Sequence, residues 1–137
     1  MSNAVIETNV SPSNMPGKGL NIALWVVQGL LALAFIGAAS GKLLGQPEMV
    51  GLYDAIGVGQ WFRYVTGLVE VSGAVLILIP KTRVIGAGLL AGTMLGAIAT
   101  HLFVLHNAPT APVVLLALVS FVLWGRRAEL AKLLGRS

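Results

Sequence analysis

None of the 137 residues is a cysteine. Without a thiol, dithiol redox chemistry, disulfide exchange and thiolate metal sites are excluded. Charge is nearly as scarce. Nine Lys and Arg and five Asp and Glu make up 10% of the chain, against about 25% in a soluble domain. Hydrophobic residues reach 56%, glycine fills 17 further positions, and the mean hydropathy is +0.86. A soluble domain this small has too much surface for its volume to hide that much apolar side chain. An ordinary water-soluble globule, a disordered chain and a coiled coil are therefore excluded. Also missing are a phosphate loop, a nucleotide fingerprint and a paired metal-ligand motif. His101 and His106 are five residues apart, about 140° around a helix, so they make no i, i+4 metal pair.

What remains points to a bilayer as the solvent. The sequence pI of about 10.0 does not indicate nucleic acid, because the basic residues flank apolar runs instead of clustering with aromatics. Residues 1–19 are polar, broken by Pro12, Pro16 and Gly17, and hold Glu7 with only Lys18 as a cation. This is expected to be a retained flexible tail, since a signal peptide would begin with a basic region. Four apolar spans follow, over about 20–40, 61–79, 84–106 and 108–124, and a basic C-terminus over 126–137. Lipid cannot hydrogen-bond a backbone, and runs this long without alternation are helical. The expected fold is all-α: an integral membrane four-helix bundle over residues 20–125, with nearly every residue needed to cross or edge the membrane.

Orientation follows from the basic residues. Lys18, Lys81, Arg83, Arg126, Arg127, Lys132 and Arg136 fall on one side, Lys42 and Arg63 on the other. Seven against two places both termini in the cytoplasm of a multi-pass inner (plasma) membrane protein. Trp25, Trp61 and Trp124 lie near span ends, at headgroup level. Between spans one and two, Gln46-Pro47-Glu48 reads as a helix start and Gly57 as its stop. Met49, Leu52, Tyr53 and Ile56 keep i, i+3, i+4, i+7 spacing. A short amphipathic helix lying at the external interface, as a lid over that end, is predicted.

Span three carries Gly88, Gly92, Gly96 and Thr100 at four-residue spacing, a groove for close helix packing. Its partner is expected to be a helix of the same chain, with Gly37, Gly41, Gly67 and Gly73 as counterparts; a second copy is the alternative. Three ionisable groups stand out because each is expensive in hydrocarbon. Glu70 lies mid-way along span two, Lys42 ends span one, and His101 is near the external end of span three. A carboxylate at that depth needs a partner or a proton. A Lys42–Glu70 or His101–Glu70 contact is the expected constellation, either a polar clasp that fixes register or a ligand-anchoring site under the lid. Asp54 and Arg63 are candidates for the cavity mouth, His106 for an interfacial position. Gln28, Ser40, Ser72 and Ser120 are expected to pack or to hydrogen-bond between helices.

The ordered set Gly41-Lys42-Leu43, Gly57, Trp61, Gly67, Glu70, Gly73, Pro80, Gly86-Ala87, Met94, Gly96-Ala97 and His101 resembles the DoxX and DoxX-like family of small four-helix membrane proteins. The likeness runs over roughly residues 20–125. It implies an inner-membrane bundle, with Glu70 carried over as a functional position and Lys42 and His101 as its companions. The family's name comes from a subunit associated with quinone-linked thiosulfate oxidation. Other members are linked to membrane oxidoreductase assemblies, and an animal branch resembles assembly chaperones for receptor channels. Thiol handling by members with a cysteine pair does not transfer to a chain without cysteine. The expected role is a non-catalytic accessory subunit of a membrane oxidoreductase or other membrane complex, with that partner or a second copy bound. The alternative is a quinone- or lipid-type ligand held by Glu70 in an intramembrane cavity. No cofactor is identified, although a quinone suits that alternative. A transporter is disfavoured, because the cytoplasmic halves of the spans hold no ionisable group and no helix is broken at the midplane.

Overall fold

The computed structural model of the protein describes residues 15–135. The polar tail expected over 1–19 lies outside the described residues up to position 14, as does Arg136. The described chain is helical: α1 Lys18–Leu44, α2 Pro47–Ile56, α3 Trp61–Ile77, α4 Arg83–Thr100, α5 Thr110–Gly125 and α6 Arg127–Leu133. A π-helical turn, His101–Leu105, prolongs α4. Two stretches, Lys18–Leu44 and Arg83–Leu105, are long and apolar enough to cross a membrane, and Thr110–Gly125 is a shorter apolar helix. Helix α1 begins inside the stretch expected to be tail and runs on to Leu44, where Gly45 adopts φ 73° and caps it.

Helix α2 follows its sequence signals closely. Pro47 opens it, Glu48 lies in its first turn, and Gly57 at φ 82° ends it, a left-handed conformation that costs glycine least. α1 packs on α3, α3 on α4, α4 on α5, and α5 returns to α1. Their shared core is built from Leu31, Phe35, Ile77, Leu90, Val119 and Val122.

Backbone meets backbone where α3 crosses α4. A Cβ on Gly86 would come 2.5 Å from the Ile77 nitrogen and 2.8 Å from the Gly73 carbonyl oxygen, so the two backbones touch. This corrects the expected role of Gly88, Gly92 and Gly96 within the chain. A Cβ on any of the three meets nothing within 4 Å, and all three are exposed on the outer side of α4. Gly37, an expected counterpart, also faces open space. The buried positions of α4 are Val84, Gly86, Ala87, Leu90 and Met94, and past Val84 they lie on other sides of the helix from Gly88 and Gly92.

The end of the molecule carrying Lys18 is tied by polar contacts. The Gln28 amide donates to the Ile77 carbonyl at 2.7 Å, which caps the end of α3 as a cross-helix bond. Arg126, 1% exposed, donates from Nε to Gln28 Oε1 at 3.1 Å and from Nη1 to Asn21 Oδ1 at 2.6 Å. Its guanidinium and that of Arg83 both lie over the Trp25 ring. Burial, and Arg83 beside it, lower the basicity of Arg126, and Glu129 restores part of it. Arg83 in turn pairs with Glu129 of α6. Ser40 and Ser72 bond the carbonyls of Ile36 and Leu68 on their own helices. The outer surface is rich in large apolar side chains, among them Leu33 at 72% exposure, Phe103 at 76% and Leu95 at 58%.

Candidate functional site

Helices α1 and α3 approach closely enough for Lys42 to reach Glu70 because Gly67 has no side chain. A Cβ there would lie 2.9 Å from Leu43 Cγ and 3.4 Å from Lys42 Cβ. One turn deeper, Glu70 meets the ammonium. Lys42 Nζ is 3.0 Å from Oε1 and 3.3 Å from Oε2, and only the Oε2 contact has hydrogen-bond geometry. Oε1 therefore accepts no hydrogen bond from the chain, although Glu70 is only 2% exposed. Of the two expected contacts to Glu70, the structure makes the one from Lys42.

The pair borders a cavity of about 560 Å³, within the range of small-ligand sites. Phe35 and Ala38 of α1, Leu52 and Tyr53 of α2, and Met94 and Pro112 from α4 and α5 supply much of its apolar wall. His101 lines it too. Its ring does not bond Glu70; Nδ1 pairs with Asn107 Oδ1 at 2.5 Å. The π turn brings that partner into place, since the His101 carbonyl also accepts the Asn107 N–H at 2.9 Å. Such turns inside α-helices are frequent at functional sites. His106 follows at φ 54°, exposed.

Helix α2 forms the roof, as its apolar stripe predicts. Tyr53 is 5% exposed, and burial pushes its phenol up, with a contact to the Thr66 hydroxyl offsetting part of the rise. It remains a neutral group at neutral pH. Asp54 and Arg63 are not at the cavity mouth. Gln60 donates to the Val50 carbonyl at 3.0 Å and to Asp54 Oδ1 at 2.8 Å, which holds α2 down. Arg63, itself buried, donates to Gln60 Oε1 at 2.7 Å and to the Lys42 carbonyl. These two residues position the roof and the end of α1, and a short i, i+3 pair of Gln and Arg at a helix start is the signal that would have marked them.

The threonine hydroxyls of the wall give their protons to their own helices. Thr66, Thr93 and Thr100 each donate at 2.8 Å to the carbonyl four residues back. Hydrogen-bonding capacity is thus gathered at Lys42, Glu70, the far nitrogen of His101 and the Tyr53 phenol, which also lines the cavity. Chemically, the site can hold the polar end of an otherwise apolar molecule.

A model of the DoxX-like family matches residues 26–122, more than two thirds of the chain. The chain belongs to the DoxX-like family. The matched segment contains Lys42, Glu70 and His101 together with all of α2, α3 and α4. Neither the curated proteins nor the solved structures give a match to this DoxX-like chain.

Proposed function

We propose that this DoxX-like protein is a multi-pass four-helix bundle of the inner (plasma) membrane that binds a small lipid-soluble ligand in the cavity beneath α2. The observation that carries this function is a buried, charge-balanced ion pair opening onto an apolar space of about 560 Å³. A clasp needed only for register would be packed over, whereas this one borders a cavity it shares with a histidine. The bilayer is supported by the family, by the two long apolar helices and by the exposed Leu33, Leu95 and Phe103, an apolar surface that water would not tolerate. The distribution of basic residues favours cytoplasmic termini, which puts the cavity in the external half. A quinone head group is one occupant that Lys42 and His101 suit.

Native mass spectrometry of the protein released in mild detergent, with extraction of small molecules, tests this function. The unaltered chain is expected to retain a lipid-soluble molecule that Glu70→Gln loses while circular dichroism shows the fold kept. No retained molecule, or equal retention by the variant, would reject ligand binding.

An accessory role beside a membrane oxidoreductase or another complex is favoured by one further observation. Gly88 and Gly92 form an outward stripe with open space above them, where a partner's helix backbone can come close. Gly92→Leu is expected to lose a co-purifying polypeptide and keep the fold; retention of every partner would count against this role.

A further inference from the structure

α3 and α4 touch where Gly86 meets Gly73 and Ile77. At the opposite end they stand apart, and the cavity lies between residues 62–70 of α3 and 93–101 of α4. On the two edges of this gap are Val65, 43% exposed, and Gly96, also exposed. Both line the cavity. A residue that is at once cavity wall and outer surface marks an opening. The space beyond Gly96 is clear, because a Cβ there would meet nothing within 4 Å. The roof, by contrast, is closed by α2, with Tyr53 buried and Gln60 bonded to both Val50 and Asp54. Thr93 and Thr100, beside Gly96, turn their hydroxyls onto their own helix, so the edge of the gap presents little free polarity. Access is sideways and apolar.

The far end of the cavity selects the head group. Lys42 and Glu70 balance each other's charge. Arg63, the nearest further cation of α3, is engaged with the Lys42 carbonyl and Gln60 and does not line the cavity. An anionic head would therefore face Glu70 with no cation to spare. Glu70 Oε1 lacks a donor, while Lys42 has N–H groups beyond the one given to Oε2. A neutral group that both donates and accepts fits these needs, and a hydroxyl does so with one atom.

The geometry points to Gly96 and Val65 as the frame of a lateral portal, through which a neutral, hydroxyl-headed, lipid-soluble molecule passes from the bilayer to Glu70 and Lys42. This inference rests on the ligand-binding function proposed above. Small residues along α4 then serve two ends: the outward stripe at Gly88 and Gly92, and an open doorway at Gly96.

The test uses the full chain in liposomes, with hexadecanol carrying a diazirine dissolved in the bilayer as the probe. After illumination, labelled peptides are located by mass spectrometry. Labelling is expected on the cavity faces of α3 and α4, and to fall about tenfold or more, a change of about 1.4 kcal/mol in apparent affinity, in Gly96→Trp and in Val65→Trp. Gly29→Trp, which also adds a ring where a Cβ meets nothing within 4 Å but lies on α1 away from the cavity, should label as the unaltered protein does. The matching diazirine hexadecanoic acid should label the cavity far less than the alcohol. Undiminished labelling of both blocking variants rejects the portal, and equal labelling by the acid rejects the neutral head. Absence of cavity labelling in the unaltered protein rejects the ligand-binding function itself. Matched melting temperatures of the variants show that any loss is not unfolding.

Discussion

Among the described residues Glu70 is the one buried carboxylate, and its charge is met by a single residue, Lys42. Removing one partner of a buried ion pair leaves an uncompensated charge, whereas replacing both by apolar groups of similar size is often neutral. Lys42→Met should therefore destabilise the protein by about 3–5 kcal/mol, read as a shift in denaturant or thermal unfolding in detergent. The double variant Lys42→Met with Glu70→Leu should recover most of that loss. A double variant no more stable than Lys42→Met alone would mean that the pair contributes nothing by pairing. Arg126 at the other end follows different logic. It holds Gln28 and Asn21 with two arms of its planar fork and lies over Trp25, a set of contacts that lysine's point charge cannot reproduce.

Among the helices, the decisive contact is the crossing of α3 and α4. A methyl group on Gly86 would run into the backbone of Ile77 and Gly73, and backbone cannot swing aside as a side chain does. Gly86→Ala should cost about 1–3 kcal/mol as overpacking. Gly88→Ala meets nothing within 4 Å and should be neutral, or stabilising by up to about 1 kcal/mol, since alanine is the better helix former. Thermal midpoints of the two variants in the same detergent decide it, and equal shifts would show the crossing is looser than its geometry. The same pair of glycines explains what the sequence could reveal. Positions 86 and 88 are two residues apart, about 200° around a helix, so Gly88, and Gly92 at about 240°, face away from Gly86, while Gly96, at about 280°, has turned back to the edge of the cavity it lines. Four-residue spacing identifies a smooth face without saying which way it points. In a water-soluble helix the polar side would settle that, but every face of α4 is apolar. Helix α2 was legible because it has a polar side and both stop and start signals. Lys42 and Glu70 were legible because they are the scarce charges within apolar runs. The partner of His101 was not, because it depends on a π turn that shifts Asn107 into reach.

At the scale of the whole molecule the polarity pattern is inverted: polar contacts such as Gln28 with Ile77 and Arg126 are buried, while Leu33 and Phe103 face outward. In a bilayer that inversion is stable, and the basic residues then choose the direction. Because the chain has no cysteine, any one introduced is a unique label. Ala108, in the connection before α5, and Lys132, on α6 after it, are both exposed and are separated by the length of α5. Replacing Lys132 still leaves six of the seven basic residues on the proposed cytoplasmic side, so the bias that sets orientation is kept. In intact cells whose outer envelope admits a membrane-impermeant maleimide, Ala108→Cys should react at once, and Lys132→Cys only after the inner membrane is permeabilised. Reaction of both in intact cells would mean that α5 does not cross the membrane. The reverse pattern would turn the protein over and place Glu70, His101 and the roof of α2 in the cytoplasmic half, where a ligand would have to be taken from the inner leaflet.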